Sequence, residues 1–365
     1  MRFSLLLTAS LLTAGCSGLE TDGGSEAAGA GSGVGGTTSS HDGFGGAAQS
    51  CATTEDCAEG EMCVEGECTS VTACGSVELT STHVEANLLL VLDRSCSMNS
   101  GDFPAGSKWN VAVAAIDSMT TTYADGLRFG MLLFPDKTSD SCTQEDPGVP
   151  VSESGGGAIR ELLNASLDEE HPMHPGSPCK TNIDTAIEQA SLHPDLQDND
   201  RPNHVVLITD GRQSGCTMAG GDNGTREMIA ELKAHDITTF VVGFGGGVDE
   251  VALNDFAELG GAALPGDTKY FKAEDDVSLS LALESIAQQS LSCSVLLDKT
   301  EAAGELYVFF NDEQSVPEDV SQQEGWSYDP MTGVLTFFGA ACEQLKSGAV
   351  SDLDIVFGCP APTPQ

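Results

Sequence analysis

Residues 88–92 (LLLVL) run without interruption into Asp93, Ser95 and Ser97 in the stretch LLLVLDRSCSM. A short, wholly apolar run that stops at a polar loop reads as a strand buried on both faces. Similar runs recur at 128–134, 204–209 and 238–244, with a shorter one at 269–271. Between them lie helical patterns at 108–123, 158–165, 182–192, 225–235, 251–259 and 277–290. The first carries Val111, Ala115 and Met119 at a spacing of four, which gives one apolar face. Strands that alternate with helices predict an α/β domain with a mostly parallel sheet, and about 200 residues suffice for a full core. The segment 147–151 (PGVPV) is a candidate edge strand, where proline is tolerated.

In such sheets ligands bind outside the carboxyl ends of the strands. Asp93, Ser95 and Ser97 bring one carboxylate and two hydroxyls to such an end. Thr181 follows in CKTNIDTAI, and Asp210 ends another apolar run in VVLITDGRQ. All five offer oxygen ligands, which suit a hard divalent cation. Taken singly, each of these residues also serves as a helix cap or turn former.

Together the five resemble the metal-ion-dependent adhesion site of the von Willebrand factor type A (vWA) domain family: Asp-x-Ser-x-Ser, a distal Thr and a distal Asp, in that order. The stretch FVVGFGGGVDEVALNDFAELGG is similar to the family too, and the resemblance covers roughly residues 84–292. It implies a doubly wound, Rossmann-like sheet flanked by helices. It implies that Ser95, Ser97 and Thr181 supply hydroxyls to Mg²⁺ or Ca²⁺, while Asp93 and Asp210 orient hydroxyls and waters, or one of the two binds the metal. One coordination position is then left for an anionic oxygen, typically a carboxylate of a partner protein.

The first fifteen residues read as a signal peptide, with Arg2 as the positive start, an apolar stretch to Leu12, and small residues before a cleavage point. LLTAGC resembles a bacterial lipobox, with Thr13 where Leu is commoner, and implies acylation of Cys16. Ser17 in place of Asp favours the outer membrane. Several acyl chains make an effectively permanent anchor. Residues 16–50 are mostly Gly, Ala, Ser and Thr, a tether with a root-mean-square span of roughly 30 Å. The formal net charge is −41, and no Lys or Arg stands between Arg2 and Arg94. Such a surface repels phosphate backbones, so nucleic acid is not an expected partner.

Of thirteen cysteines, twelve remain if Cys16 is lipidated, an even number that agrees with an oxidising compartment. Cys51, Cys57, Cys63 and Cys68 stand in a short run, expected to be a disulfide-held module over 51–74. Their spacings of five, five and four, with no His between, do not fit zinc. In the vWA arrangement Cys96 and Cys216 belong to neighbouring loops and form an expected pair; Cys142, after the second strand, and Cys179, two residues before Thr181, are the next natural pair. The family's termini lie close, which suggests Cys74 with Cys293. Residues 293–365 read as a small β domain, with strands at 305–311, 325–328, 334–338 and 352–357, a turn at 329–333, and Cys342 paired with Cys359.

His171 and His174 follow three acids but read as a solvated loop, and Asp195, Asp198 and Asp200 lack the Gly of a calcium loop. There is no P-loop and no Gly-x-Ser-x-Gly elbow. The expected function is thus that of a surface-exposed, non-enzymatic lipoprotein that binds an acidic ligand through a metal ion. The alternatives are an envelope scaffold whose metal site is silent and, far behind, a hydrolase with an unrecognised site.

Overall fold

A computed structural model of the chain describes residues 61–64, 67–70, 77–101, 103–104, 106–136, 142, 144, 148–297, 305–311 and 314–358. The expected signal peptide, Cys16, the tether, and Cys51, Cys57, Cys74 and Cys359 lie outside the described residues. The chain divides into two compact units, Met1–Thr69 and Ser70–Gln365. Near the end of the first, β1 (Glu61–Val64) and β2 (Glu67–Ser70) pair as a two-stranded sheet that carries Cys63 and Cys68.

The second unit opens with two short strands, β3 (Val77–Glu78) and β4 (Ser81–His83), and then enters the α/β fold. There β5 (Ala86–Asp93) is followed by α1 (Lys108–Thr122), β6 (Leu127–Phe134), β7 (Val149–Ser152), α2 (Gly155–Ala165) and α3 (Ile183–Ser191). Next come β8 (Asn203–Thr209), α4 (Gly221–Ala234), β9 (Ile237–Phe244), α5 (Glu250–Leu259), β10 (Phe271–Ala273) and α6 (Asp276–Ser290). The sheet order is β10-β9-β8-β5-β6-β7, parallel except for β7, which pairs antiparallel at the edge. The expected α/β sheet and the Pro-containing edge strand are both present.

Burial on both faces explains the apolar runs. Along β5, Leu88, Leu90 and Leu92 pack with α1, α2 and α6, whereas Leu89 and Val91 pack on the other face with α3, α4 and α5. The chain leaves β5 for β6 on one side and returns to β8 on the other. The strand order therefore reverses between β5 and β8, which is where ligand crevices form in open α/β sheets. The register Leu92↔Ile208 sets the ends of these two strands side by side.

The remainder is a β-sandwich of two four-stranded sheets. It is built from β11 (Ser294–Leu297), β12 (Glu305–Phe310), β13 (Gln314–Val316), β14 (Gly325–Asp329), β15 (Val334–Phe338), α7 (Gly339–Lys346) and β16 (Leu353–Gly358). One sheet runs β14-β15-β11-β4, the other β13-β12-β16-β3. Phe310 and Phe337 meet between them, ring centroids 5.4 Å apart. The sandwich thus takes strands from both sides of the α/β fold, an extent that residues 293–365 alone do not supply. The register Val295↔His83 clasps the two ends of the α/β fold by a strand pair.

That clasp replaces the expected Cys74–Cys293 bridge. Cys293 is bonded to Cys342 instead, which also removes the expected Cys342–Cys359 pair. The reason is local: β11 pairs with β15, and α7, which follows β15 directly, brings Cys342 to a Cα–Cα distance of 5.4 Å from Cys293.

Candidate metal centre

Asp93 is the last residue of β5 and is fully buried. Both of its carboxylate oxygens are engaged: Oδ1 accepts from the Ser95 N–H at 2.8 Å and Oδ2 from the Thr209 hydroxyl at 2.7 Å. Burial pushes the Asp93 carboxyl up to about 7, and the Asp210 charge adds to the push. The bonds from Ser95 and Thr209 act in the opposite direction. Ser95 and Ser97 face each other with hydroxyls 2.9 Å apart. The Ser97 hydroxyl donates to Asp210 Oδ1 at 2.7 Å. A continuous polar chain therefore runs from Ser95 through Ser97 to Asp210, with Asp93 locked behind it.

Thr181 reaches the same edge by another route. Its N–H donates to the Ser214 carbonyl at 3.1 Å and its carbonyl accepts from the Ser214 N–H at 2.9 Å. Gly211 leaves space beside it, since a Cβ there would lie 3.3 Å from Thr181 Oγ1. Asp184 fastens the loop after Asp210: its Oδ1 accepts from Gln213 at 2.7 Å and its Oδ2 from the N–H groups of Ala219 and Gly221, both at 3.0 Å.

Two disulfides tie these loops, with pairings that differ from expectation. Cys96 is bonded to Cys179 and Cys142 to Cys216, in place of Cys96–Cys216 and Cys142–Cys179. Arg94 supplies the reason. Its guanidinium is fully buried and donates to the carbonyls of Pro135, Pro172, His174 and Ser177 at 2.8 to 3.3 Å. It thereby draws the 172–177 segment onto the end of β5, so Cys179, not Cys216, arrives beside Cys96. Burial lowers the Arg94 pKa and the Asp136 charge opposes that shift.

Four residues at this edge were not singled out in the sequence: Asp184, Arg94, Thr209 and Lys108. Arg94 occupies the variable position of Asp-x-Ser-x-Ser and carries no signal there. Thr209 shows only as the residue before Asp210. Lys108, the first residue of α1, places Nζ 2.6 Å from Asp210 Oδ2. A lone Lys close after an apolar strand is the sole sequence hint of that contact. His171 and His174 are absorbed by local bonds: His171 Nδ1 accepts from the Met173 N–H, and His174 Nδ1 lies 3.0 Å from the Ser166 carbonyl.

The donor set is chemically suited to a hard cation. Two buried carboxylates and two hydroxyls lie within hydrogen-bonding reach of one another, with Thr181 on the adjoining loop. Against two acidic side chains the cluster holds one ammonium. No group of three or more His, Cys, Asp or Glu capable of holding a metal occurs among the described residues. A site rich in hydroxyls does not require one.

Several solved structures are similar at low identity. Proximal thread matrix protein 1 from the mussel byssus is 16% identical, with a TM-score of 0.41, over 58% of this chain and 48% of its own. The chain thus spans about half the length of that protein. BatB from Bacteroides thetaiotaomicron is 18% identical, TM-score 0.41, over 56% of this chain and 99% of its own. The pilus adhesin SpaC from Lactobacillus rhamnosus GG is 12% identical, TM-score 0.41, over 75% and 38%. Among curated proteins none matches by sequence. The family model of the von Willebrand factor type A domain matches residues 87–289, more than half of the chain and all but the end residues of the α/β fold from β5 to α6, and the chain belongs to that family.

Proposed function

We propose that this chain is an exported lipoprotein that binds a protein or other carboxylate-bearing ligand through a divalent cation, Mg²⁺ or Ca²⁺. Ser95, Ser97 and Thr181 hold the cation with their hydroxyls, and Asp93 and Asp210 orient them. The observation that carries this reading is the hydrogen-bonded run Ser95–Ser97–Asp210 at the switch point of the sheet, with both Asp93 oxygens fixed behind it. When bound, such an ion supplies an electrophilic position open to an anionic oxygen. Asp93 keeps the Ser95 loop in place. Asp210 accepts from the Ser97 hydroxyl, and the Thr181–Ser214 backbone pairing holds Thr181 at the same edge of the sheet. Three disulfides among the described residues fit export to an oxidising compartment, and no described helix is long and apolar enough to cross a membrane. The proposed anchor is an acylated Cys16, and Cys16→Ala is expected to release the protein from membranes.

The test is calorimetric titration of Mg²⁺ and Ca²⁺ into wild type and Asp210→Ala. Loss of Asp210 removes the partner of Ser97, so affinity drops at least tenfold, the lower bound for losing a group that orients ligands. Equal affinities in the two proteins would sink the assignment. A second reading, an envelope scaffold with a silent site, draws on the Lys108 ammonium, which already balances Asp210. Binding of neither ion at millimolar concentration favours it.

A further inference from the structure

Lys108 is held against Asp210 from several directions. Its N–H donates to the Ser100 carbonyl at 2.9 Å, which ties the start of α1 to the loop that carries Ser95 and Ser97. Ser107 caps α1, with the Asn110 N–H donating to its side chain and the Ser107 N–H donating back to Asn110 Oδ1. The Lys108 stem passes Gly245, which has φ +84°. A Cβ there would come within 3.1 Å of Lys108 Cε, closer than side chains normally pack. Side-chain exposure is 15% for Lys108 and 0% for Asp210, so little water screens the pair. Exposed lysine–carboxylate pairs gain little because water and salt screen them and the lysine must be ordered. Here both losses are reduced. The ammonium is also the only cationic group with a described bond to either acid of the site, and it uses the Asp210 oxygen that Ser97 leaves free.

On the reading of this edge as a metal centre, we infer that Lys108 is a built-in competitor of the divalent cation, an internal ammonium that weakens metal binding and tunes occupancy to the free ion concentration outside. A cation near Asp210 meets a like charge 2.6 Å from the same carboxylate. It must either tolerate that charge or displace it from a bond that is short, charge-assisted and mostly dry. The same ammonium keeps Asp210 from standing as a second uncompensated carboxylate beside Asp93. A protein with this device needs no metal to hold its loops, and loads the ion only where the ion is abundant.

The experiment uses the full chain, Lys108→Met and Lys108→Gln, titrated with Mg²⁺ by calorimetry and with Mn²⁺ by electron paramagnetic resonance. Lys108→Gln keeps a hydrogen-bond donor for Asp210 without the charge, and serves if the methionine variant folds poorly. Both variants are expected to bind each ion at least tenfold tighter than wild type. They are also expected to melt at lower temperature than wild type in chelator, and to recover more of that loss than wild type gains when Mg²⁺ is added. If wild type binds the ions and both variants bind no tighter, the metal centre stands and the competitor role falls. If none of the three proteins binds either ion at millimolar concentration, the metal centre itself falls and the inference with it.

Discussion

The carboxyl edge of the α/β sheet and the core of the β-sandwich bury opposite kinds of side chain. At the edge, Asp93, Arg94, Ser95, Thr181, Asp184, Thr209 and Asp210 are all buried. The sandwich core gathers Trp326, Phe337, Phe310, Leu335 and Ile355. Buried polar groups are costly unless each finds a partner, and at the edge they do: Asp93, Ser95, Ser97 and Asp210 bond in one chain, Asp184 accepts from the loop after Asp210, and Arg94 donates to four backbone carbonyls. The sandwich needs no such network. Its one buried indole donates to the Val316 carbonyl at 2.8 Å, and apart from Asp354 on β16 the rest is apolar area removed from water. The sandwich is therefore expected to contribute stability and the edge to contribute selectivity.

Substitutions in the two regions test that division. Trp326→Ala is expected to lower stability by about 3–5 kcal/mol, the cost of deleting a large buried aromatic, and to leave Mg²⁺ affinity unchanged. Denaturant unfolding alongside titration checks both, and a change in affinity would break the separation. Replacing Cys96 and Cys179 together with Ser opens a link across 83 residues. A loss of about 2–4 kcal/mol is expected, with weaker metal binding as well, because the bond ties the Ser95–Ser97 loop to the Thr181 loop. Asp210→Ala inverts the pattern: a tenfold or larger loss of metal affinity, about 1.4 kcal/mol, with the fold retained.

A pH-dependent effect lies at the amino end of β8, away from Asp210. Burial, aided by the charges of Lys346 and Lys233, pushes His204 down to about 4 from 6.5. Above pH 6.5 the ring is neutral both folded and unfolded, and its share of stability is complete. As pH falls from about 6.5 to about 4 the unfolded chain takes up the proton first, so that share is lost. His204→Gln should therefore lose less stability than wild type between pH 7 and pH 4.5. Unfolding at the two pH values measures it, and identical losses would show that His204 does not contribute.

The five oxygen-bearing residues were legible because each stands at a break in periodicity, where an apolar strand stops or a helix begins. That pattern is local and survives in one dimension. Lys108 was not legible, since a lysine at the start of a helix looks the same whether its amine meets water or Asp210. Helix α7 was missed because a short helix with one buried residue, Ala341, carries almost no apolar period. Strand β4 was missed because its three residues are all exposed and are held by backbone pairing.

The sequence by itself determined the main elements of the α/β fold, their alternation and the edge of the sheet at which polar groups would collect. Burial on both faces writes itself into composition as unbroken apolar runs, and a strand end writes itself as their interruption. Only the tertiary structure decided which distant groups meet. The pairing of Cys96 with Cys179, the ammonium on Asp210 and the clasp of β4 with β11 depend on which loops are drawn together in space. In the first case a buried arginine does the drawing, through carbonyls that any residue possesses. A backbone carbonyl leaves no mark in a sequence, and so the contacts built on it appear only in the fold.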